Sequence, residues 1–167
     1  MKYLFVLVLV GLSFVACKHI NPFPLDTTLE FVSLEKLNNG TGIDSLAVLK
    51  LHFTDGDGNI GLNENDYPFP NDTSIYKNNF FVMYYAKRNG EFVPFLEYNF
   101  YARLSRFLPD NNTEPIEGDI EYKIPIRNPL ITASATDTVM FECWLLDRDL
   151  KESNHVFTKE IIVVNRL

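Results

Sequence analysis

Cysteine is nearly absent from this chain: Cys17 and Cys143 are the only two in 167 residues. No disulfide framework can be built from them, so stability has to come from a buried core. Long apolar runs are missing too. A membrane-crossing helix needs about 20 apolar residues, and the longest stretch, Tyr3 to Ala16, falls short of that. Basic side chains are in the minority, 15 against 22 acidic, for a net charge of -7. Such a surface repels phosphate backbones, so nucleic acid is not expected as a partner. His19, His52 and His155 stand far apart, and none lies at zinc-ligand spacing from another His or Cys. Neither a Gly-x-Ser-x-Gly elbow nor a phosphate-cradling loop is expected in the chain. The expectation is therefore of a protein that is not an enzyme and carries no resident organic cofactor.

What is present is core material. Apolar residues make up 46% of the chain and aromatics 14%, with 14 Phe and 8 Tyr against a single Trp. That is globular composition at a length that holds one domain plus a targeting segment.

The targeting segment is legible at the N-terminus. Lys2 supplies one positive charge, Leu4 to Val10 is continuously apolar, and Gly11 to Ala16 relaxes into smaller residues before Cys17. That order is the order of an export signal, and it divides the chain into a signal at 1–16, a tether at 17–27 and a domain at 28–167. Removing the signal leaves 14 basic against 22 acidic side chains. The tether, with Pro22 and Pro24, reads as short and extended. Phe14-Val15-Ala16-Cys17 resembles the lipobox of bacterial lipoproteins, in which the cysteine is acylated and becomes the new N-terminus. Phe14 stands where leucine is usual. The resemblance implies lipidation at Cys17 and attachment to a membrane surface, since several acyl chains make dissociation negligible.

Past the tether, short stretches rich in Val, Ile, Phe, Tyr and Thr alternate with Gly, Pro, Asn and Asp clusters, and no long helical period appears. Strands are predicted at Thr28 to Leu37, Ser45 to Phe53, Asn79 to Lys87, Glu91 to Leu96, Gly118 to Ile126, Asp137 to Leu146 and Val156 to Val164. In the second, Ala47, Leu49, Leu51 and Phe53 share a face; in the sixth, Val139, Phe141, Cys143 and Leu145 do. Cys143 is therefore expected to be a small buried hydrophobe. Asn89-Gly90 marks a tight hairpin. Residues 97–117 give no readable pattern. About seven such strands suggest two packed antiparallel sheets of immunoglobulin-like type, with a closed barrel as the runner-up.

One loop stands out. Asp55-Gly56-Asp57-Gly58-Asn59 places alternating oxygen donors on a flexible turn, which suits a hard cation such as calcium. An EF-hand is excluded, because Ile60 occupies the position that motif reserves for glycine. The bland alternative is a strand exit, for which Asp-Gly and Gly-Asn pairs are the ordinary solution. An immunoglobulin-like strand order would bring Asp147 and Asp149, with Ser153 and Asn154, to face Asp55 and Asp57. The carboxylates there would pair with Arg88, Arg148 and Lys151, recruit a cation, or stay solvated.

Three pieces together resemble a family of uncharacterised Bacteroidota lipoproteins with an immunoglobulin-like domain: Phe53 to Gly61, Glu117 to Ile120, and Asp137 through Asp147-Arg148 to Ser153-Asn154. The resemblance implies a fold and an address at the outer membrane. In such lipoproteins surface export follows acidic residues just after the cysteine. Here Lys18-His19-Ile20-Asn21 follow, which favours the periplasmic face.

For function, the leading expectation is a lipid-anchored, non-catalytic binding or assembly module, an accessory subunit of an outer-membrane protein complex. The aromatic excess motivates it, with Tyr84, Tyr85, Phe92, Tyr98 and Tyr101 as candidate contact residues. The alternative is a carbohydrate-capturing surface lipoprotein in which calcium, held at Asp55, Asp57, Asn59, Asp147 and Asp149, stabilises the loop.

Overall fold

A computed structural model describes residues 22–38, 40–69, 71–109, 114–126 and 136–164. The expected signal, Cys17 and the first part of the tether lie outside them, as does the side chain of Tyr98. Eight strands are described: β1 Thr28–Asn38, β2 Asp44–Asp55, β3 Phe80–Arg88, β4 Glu91–Asn99, β5 Ile116–Pro125, β6 Thr136–Leu145, β7 Val156–Phe157 and β8 Ile161–Val164. One 3-10 turn, Ile75–Lys77, precedes β3. Among the described residues no helix is long and apolar enough to cross a membrane.

The strands form two antiparallel sheets packed as a sandwich. One has the order β1-β2-β5, the other β4-β3-β6-β7, with β8 also paired to β6. The chain crosses between sheets after β2, after β4 and again after β5, so that β3 and β4 lie side by side in the second sheet. Period-two alternation drives the packing. Ala47, Leu49, Leu51 and Phe53 on β2 point inward against Val139, Phe141, Cys143 and Leu145 on β6, and all eight are essentially inaccessible. Phe80, Val82, Tyr84 and Ala86 of β3 complete the second sheet's inner face. Edge-to-face contacts such as Phe80 with Tyr122 join the two sheets.

Local chemistry sets the irregularities. Asn89 and Gly90 both take positive φ, 52° and 90°, and Arg88 pairs directly with Glu91, so the hairpin has the two-residue turn expected of Asn-Gly. Val32 is an extra residue in β1, between the Phe31 and Ser33 pairings, and is half exposed. The final strand, expected as one piece, is two. Thr158 interrupts it, with its hydroxyl accepting the Phe141 amide at 3.0 Å where a continuous strand would offer a carbonyl. In the unread stretch, β4 runs on to Asn99, and Ala102 pairs with Phe80 beyond it.

The sandwich has two distinct ends. At one, β2 exits at Asp55, β3 enters at Phe80, β6 leaves at Leu145 and the chain arrives at Thr28. At the other lie the β3–β4 hairpin and the end of β8, where the Asp44 carboxylate accepts from Lys36 Nζ and the Val164 amide, both at 2.7 Å.

Candidate functional site

The end of the domain nearest the tether gathers the five oxygen-bearing residues singled out from sequence. β2 delivers Asp55 inward at its last position, where one oxygen, Oδ2, accepts the Ile60 amide at 3.0 Å. Asp57 Oδ1 accepts the Asn59 amide at 3.2 Å, closing the turn on itself. Gly58 makes the turn possible: its φ is +64°, and a Cβ there would strike the carbonyl of Glu114. Ile60 then forms an isolated bridge with Asp147, so the β2 exit loop and the β6 exit loop are stitched together. Across that stitch Asn59 Nδ2 donates to Asp147 Oδ2 at 3.2 Å and to Asp149 Oδ2 at 3.1 Å. Asp147 Oδ1 accepts the amides of Asp149 at 2.9 Å and Lys151 at 2.8 Å.

The three cations that could have paired with these carboxylates each make their direct contacts elsewhere, although Lys151 still feels the charges of Asp147 and Asp57. Arg88 makes a two-pronged pair with Asp137 at 2.6 and 2.9 Å, at the opposite end of the sandwich. Lys151 pairs with Asp26 of the tether. Arg148 turns back to the carbonyls of Ile60 and Gly58, at 3.4 Å each. Among the described residues no salt bridge reaches Asp55, Asp57, Asp147 or Asp149. Asp55 shows the consequence. Burial pushes its carboxyl up to about 6; the Ile60 amide opposes this, and the charge of Asp57, a hydrogen bond shared with Asp57 and the charge of Asp147 add to it. Of the buried side-chain oxygens at this end, Asn59 Oδ1 and Thr27 Oγ1 have no hydrogen-bond partner. As the side chains stand, no three Asp, Glu, His or Cys groups among the described residues are arranged to chelate a metal.

Ser153 and Asn154 do not join the cluster. Asn154 docks β1 instead, its amide exchanging two 2.8 Å hydrogen bonds with the Leu29 backbone, while Ser153 Oγ accepts the Leu145 amide. Gly56, Gly58 and Gly61 spell the spacing of a dinucleotide-binding turn, which sequence reading passed over. That reading fails on structure, because the turn leads into an irregular loop and not into a helix whose N-terminus could hold a pyrophosphate.

The four candidate contact aromatics whose side chains are described scatter, and Tyr98 lies outside them. Tyr84 is in the core against Phe141 and is withdrawn from any surface role, since β3 alternation turns it inward with Val82 and Ala86. Tyr85 faces outward and donates its hydroxyl to Glu142 at 2.6 Å. Tyr101 packs edge-on against Phe81 and Trp144. Phe92 lies under the Lys87 ammonium at the edge of the second sheet.

Two features escaped the sequence reading. On the outer face of the second sheet, Trp144 is stacked between Phe81, at 5.1 Å and 7°, and His155, at 4.6 Å and 3°. Phe157, half exposed, packs on Tyr85 beside it. In the connection from β2 to β3, Tyr67, Phe69, Ile75 and Tyr76 are largely exposed. Arg103 holds that connection, donating to the carbonyls of Asn63, Asp66, Pro68 and Lys77. The rigid Tyr67-Pro68-Phe69 triplet was a usable cue for the second feature; the stack depends on register between β3, β6 and β7 and left no trace in the pattern.

Comparison with known protein families, with curated proteins and with solved structures finds no match to this chain.

Proposed function

We propose that this protein is an exported lipoprotein, held at the outer membrane through Cys17, whose β-sandwich is a non-catalytic binding or assembly module serving a larger envelope complex. The observation that supports this most is the aromatic assembly on the outer face of the second sheet. Trp144, Tyr85, Tyr101, His155 and Phe157 are fixed there by stacking and by the Glu142 carboxylate, which takes the Tyr85 hydroxyl and pairs with His155 at 2.8 Å. Rings already immobilised lose little side-chain freedom on association, and Trp and Tyr are the residues that dominate interface energetics.

The same arrangement weighs against carbohydrate capture. Stacking on a sugar requires an open ring face, and both faces of Trp144 are covered, by Phe81 and by His155.

The orientation of the domain fits an anchored module. A Cβ at Gly56 would strike the carbonyl of Pro24, and Lys151 pairs with Asp26, so the tether lies against the acidic end. From Cys17 to Pro24 the chain spans at most roughly 25 Å, which keeps that end near the bilayer and leaves the outer sheet face accessible from the side. The periplasmic face of the outer membrane is the proposed location, after Lys18-His19-Ile20-Asn21.

Affinity isolation of the full-length protein from detergent-solubilised envelope tests the proposal. A stoichiometric outer-membrane partner is expected with the natural chain and is expected to be lost with Phe157→Glu, a substitution at a half-exposed site. Recovery of the lipoprotein alone would count against an assembly role.

A further inference from the structure

We infer that the end of the sandwich nearest the tether is a second membrane contact, at which the connection from β2 to β3 lays exposed rings into the interfacial zone of a zwitterionic phospholipid bilayer. The inference rests on the lipid-anchored reading above, which brings that end to the membrane. Tyr67 is 72% exposed there and Leu25, on the tether, 65%. Phe69, Ile75, Tyr76 and, in the β6 exit loop, Leu150 are each about half exposed. Apolar side chains gathered at one end, unlike single scattered ones, mark an interaction surface. Tyr67 and Phe69 meet edge to face at 6.0 Å, so their rings act as one unit.

Tether and backbone together argue for a bilayer as the occupant. Pro24 sits against Gly56, where the connection begins, and from Cys17 to Pro24 the chain spans at most roughly 25 Å. An acylated Cys17 therefore holds the connection close to the headgroups. Backbone that enters a membrane interface needs its polar groups satisfied from within, since their desolvation otherwise opposes insertion. Here Arg103 donates to the carbonyls of Asn63, Asp66, Pro68 and Lys77. The Asp72 amide donates to the Phe69 carbonyl and the Asn78 amide to that of Ile75, both at 3.0 Å. The connection thus commits these carbonyls within the protein and leaves its rings outside. Tyrosine suits such a zone because its ring is apolar while its hydroxyl stays wet. Charge selects the lipid. Residues 67–77 hold one acid, Asp72, and one base, Lys77, and so carry no net charge. Anionic headgroups would repel Asp57 and Asp149 at the same end, and the acidic mature chain as a whole. An anchor alone fixes distance; seating this end fixes orientation, with the aromatic face of the second sheet turned along the membrane.

Tryptophan emission from the full-length lipoprotein, purified from the envelope and reconstituted in phosphatidylcholine vesicles with brominated acyl chains, is the test. Bromine quenches only an indole that touches the lipid. The natural chain has one tryptophan, Trp144, covered on both faces, and its emission is the baseline. Tyr67→Trp is expected to add emission that ordinary vesicles leave intact and brominated vesicles largely remove. Ile162→Trp, at a similarly exposed position on the opposite end, is expected to add emission that both leave intact. Phe69→Ser together with Ile75→Ser, at exposed positions, should leave the unfolding midpoint unchanged and reduce the Tyr67→Trp quenching. Mass spectrometry of the same sample keeps this separate from the anchor. In a chain acylated at Cys17, a Tyr67→Trp signal quenched no more than that of Ile162→Trp would overturn the contact and leave the anchor standing. An unmodified chain that floats with the vesicles and still shows the Tyr67→Trp quenching would uphold the contact and contradict the anchor. A Tyr67→Trp signal shielded in native envelope but not in pure lipid would identify a protein as the occupant and overturn the inference.

Discussion

Arg103 is where the irregular part of the fold is most exposed to a single substitution. Its Nη1 donates to the carbonyls of Pro68 at 2.8 Å and Lys77 at 2.7 Å, and its Nη2 to those of Asn63 at 2.5 Å and Asp66 at 3.1 Å. One guanidinium thus gathers both limbs of the connection between β2 and β3. Each charge-assisted bond contributes about 1 kcal/mol net once partial solvent access is allowed for, so Arg103→Ala is expected to cost about 3–4 kcal/mol. Arg103→Lys should recover less than half of that, because a single ammonium cannot present the fork that spans four carbonyls. Equilibrium denaturation gives the magnitude, and limited proteolysis gives the location: new cleavage is expected between Asn63 and Lys77. An Arg103→Ala protein that loses less than about 1 kcal/mol, or that resists protease in that stretch, would refute the idea that this side chain organises the connection.

Arg88→Ala leaves the Asp137 carboxylate, 7% exposed, without its two-pronged partner and should destabilise by about 2–3 kcal/mol in chemical denaturation, an effect that Asp137→Asn in the same chain should partly relieve. Cys143 is wholly buried and burial pushes its thiol up, so it should react with a maleimide only after unfolding, and Cys143→Ser should cost about 1–3 kcal/mol by placing a hydroxyl among Val139, Phe141 and Leu145. Asp66 is pushed up by burial, but the Arg106 guanidinium, with Nε at 2.8 Å, and the Asn63 amide outweigh this and hold it below the ordinary carboxylate range. Its contribution to stability is therefore complete above about pH 4 and lost as pH falls below that; Asp66→Asn should flatten the acid limb of a stability-against-pH curve.

Much of this fold is written in period two. The inward rows on β2 and β6 were legible because every second residue is apolar without a break, whereas the positions between mix apolar Val48, Met140 and Trp144 with Lys50, His52 and Glu142, and Asn89-Gly90 was legible because few other pairs tolerate two positive φ angles in succession. The meeting of Asp55 with Asp147 followed from strand order alone, since the exits of β2 and β6 belong to the same end of such a sandwich. What was not legible depends on side chains reaching backbone far away in sequence. Thr158 splits the last strand by offering its hydroxyl to the Phe141 amide, and Arg103 finds carbonyls up to forty residues before it. No periodicity encodes either. Tyr84 and Tyr85 are instructive in another way. Adjacent strand residues face opposite sides of a sheet, so the pair could not both have been surface contacts, and the apolar Val82 and Ala86 on either side of Tyr84 already said which one turns inward.

The proposed role rests on delivery of the sandwich to a membrane by its first mature residue, and mass spectrometry of the N-terminal peptide from the envelope-purified protein tests that directly. The expected result is a chain beginning at Cys17 and carrying acyl chains on that cysteine. A chain that still begins at Met1, or an unmodified Cys17, would contradict it.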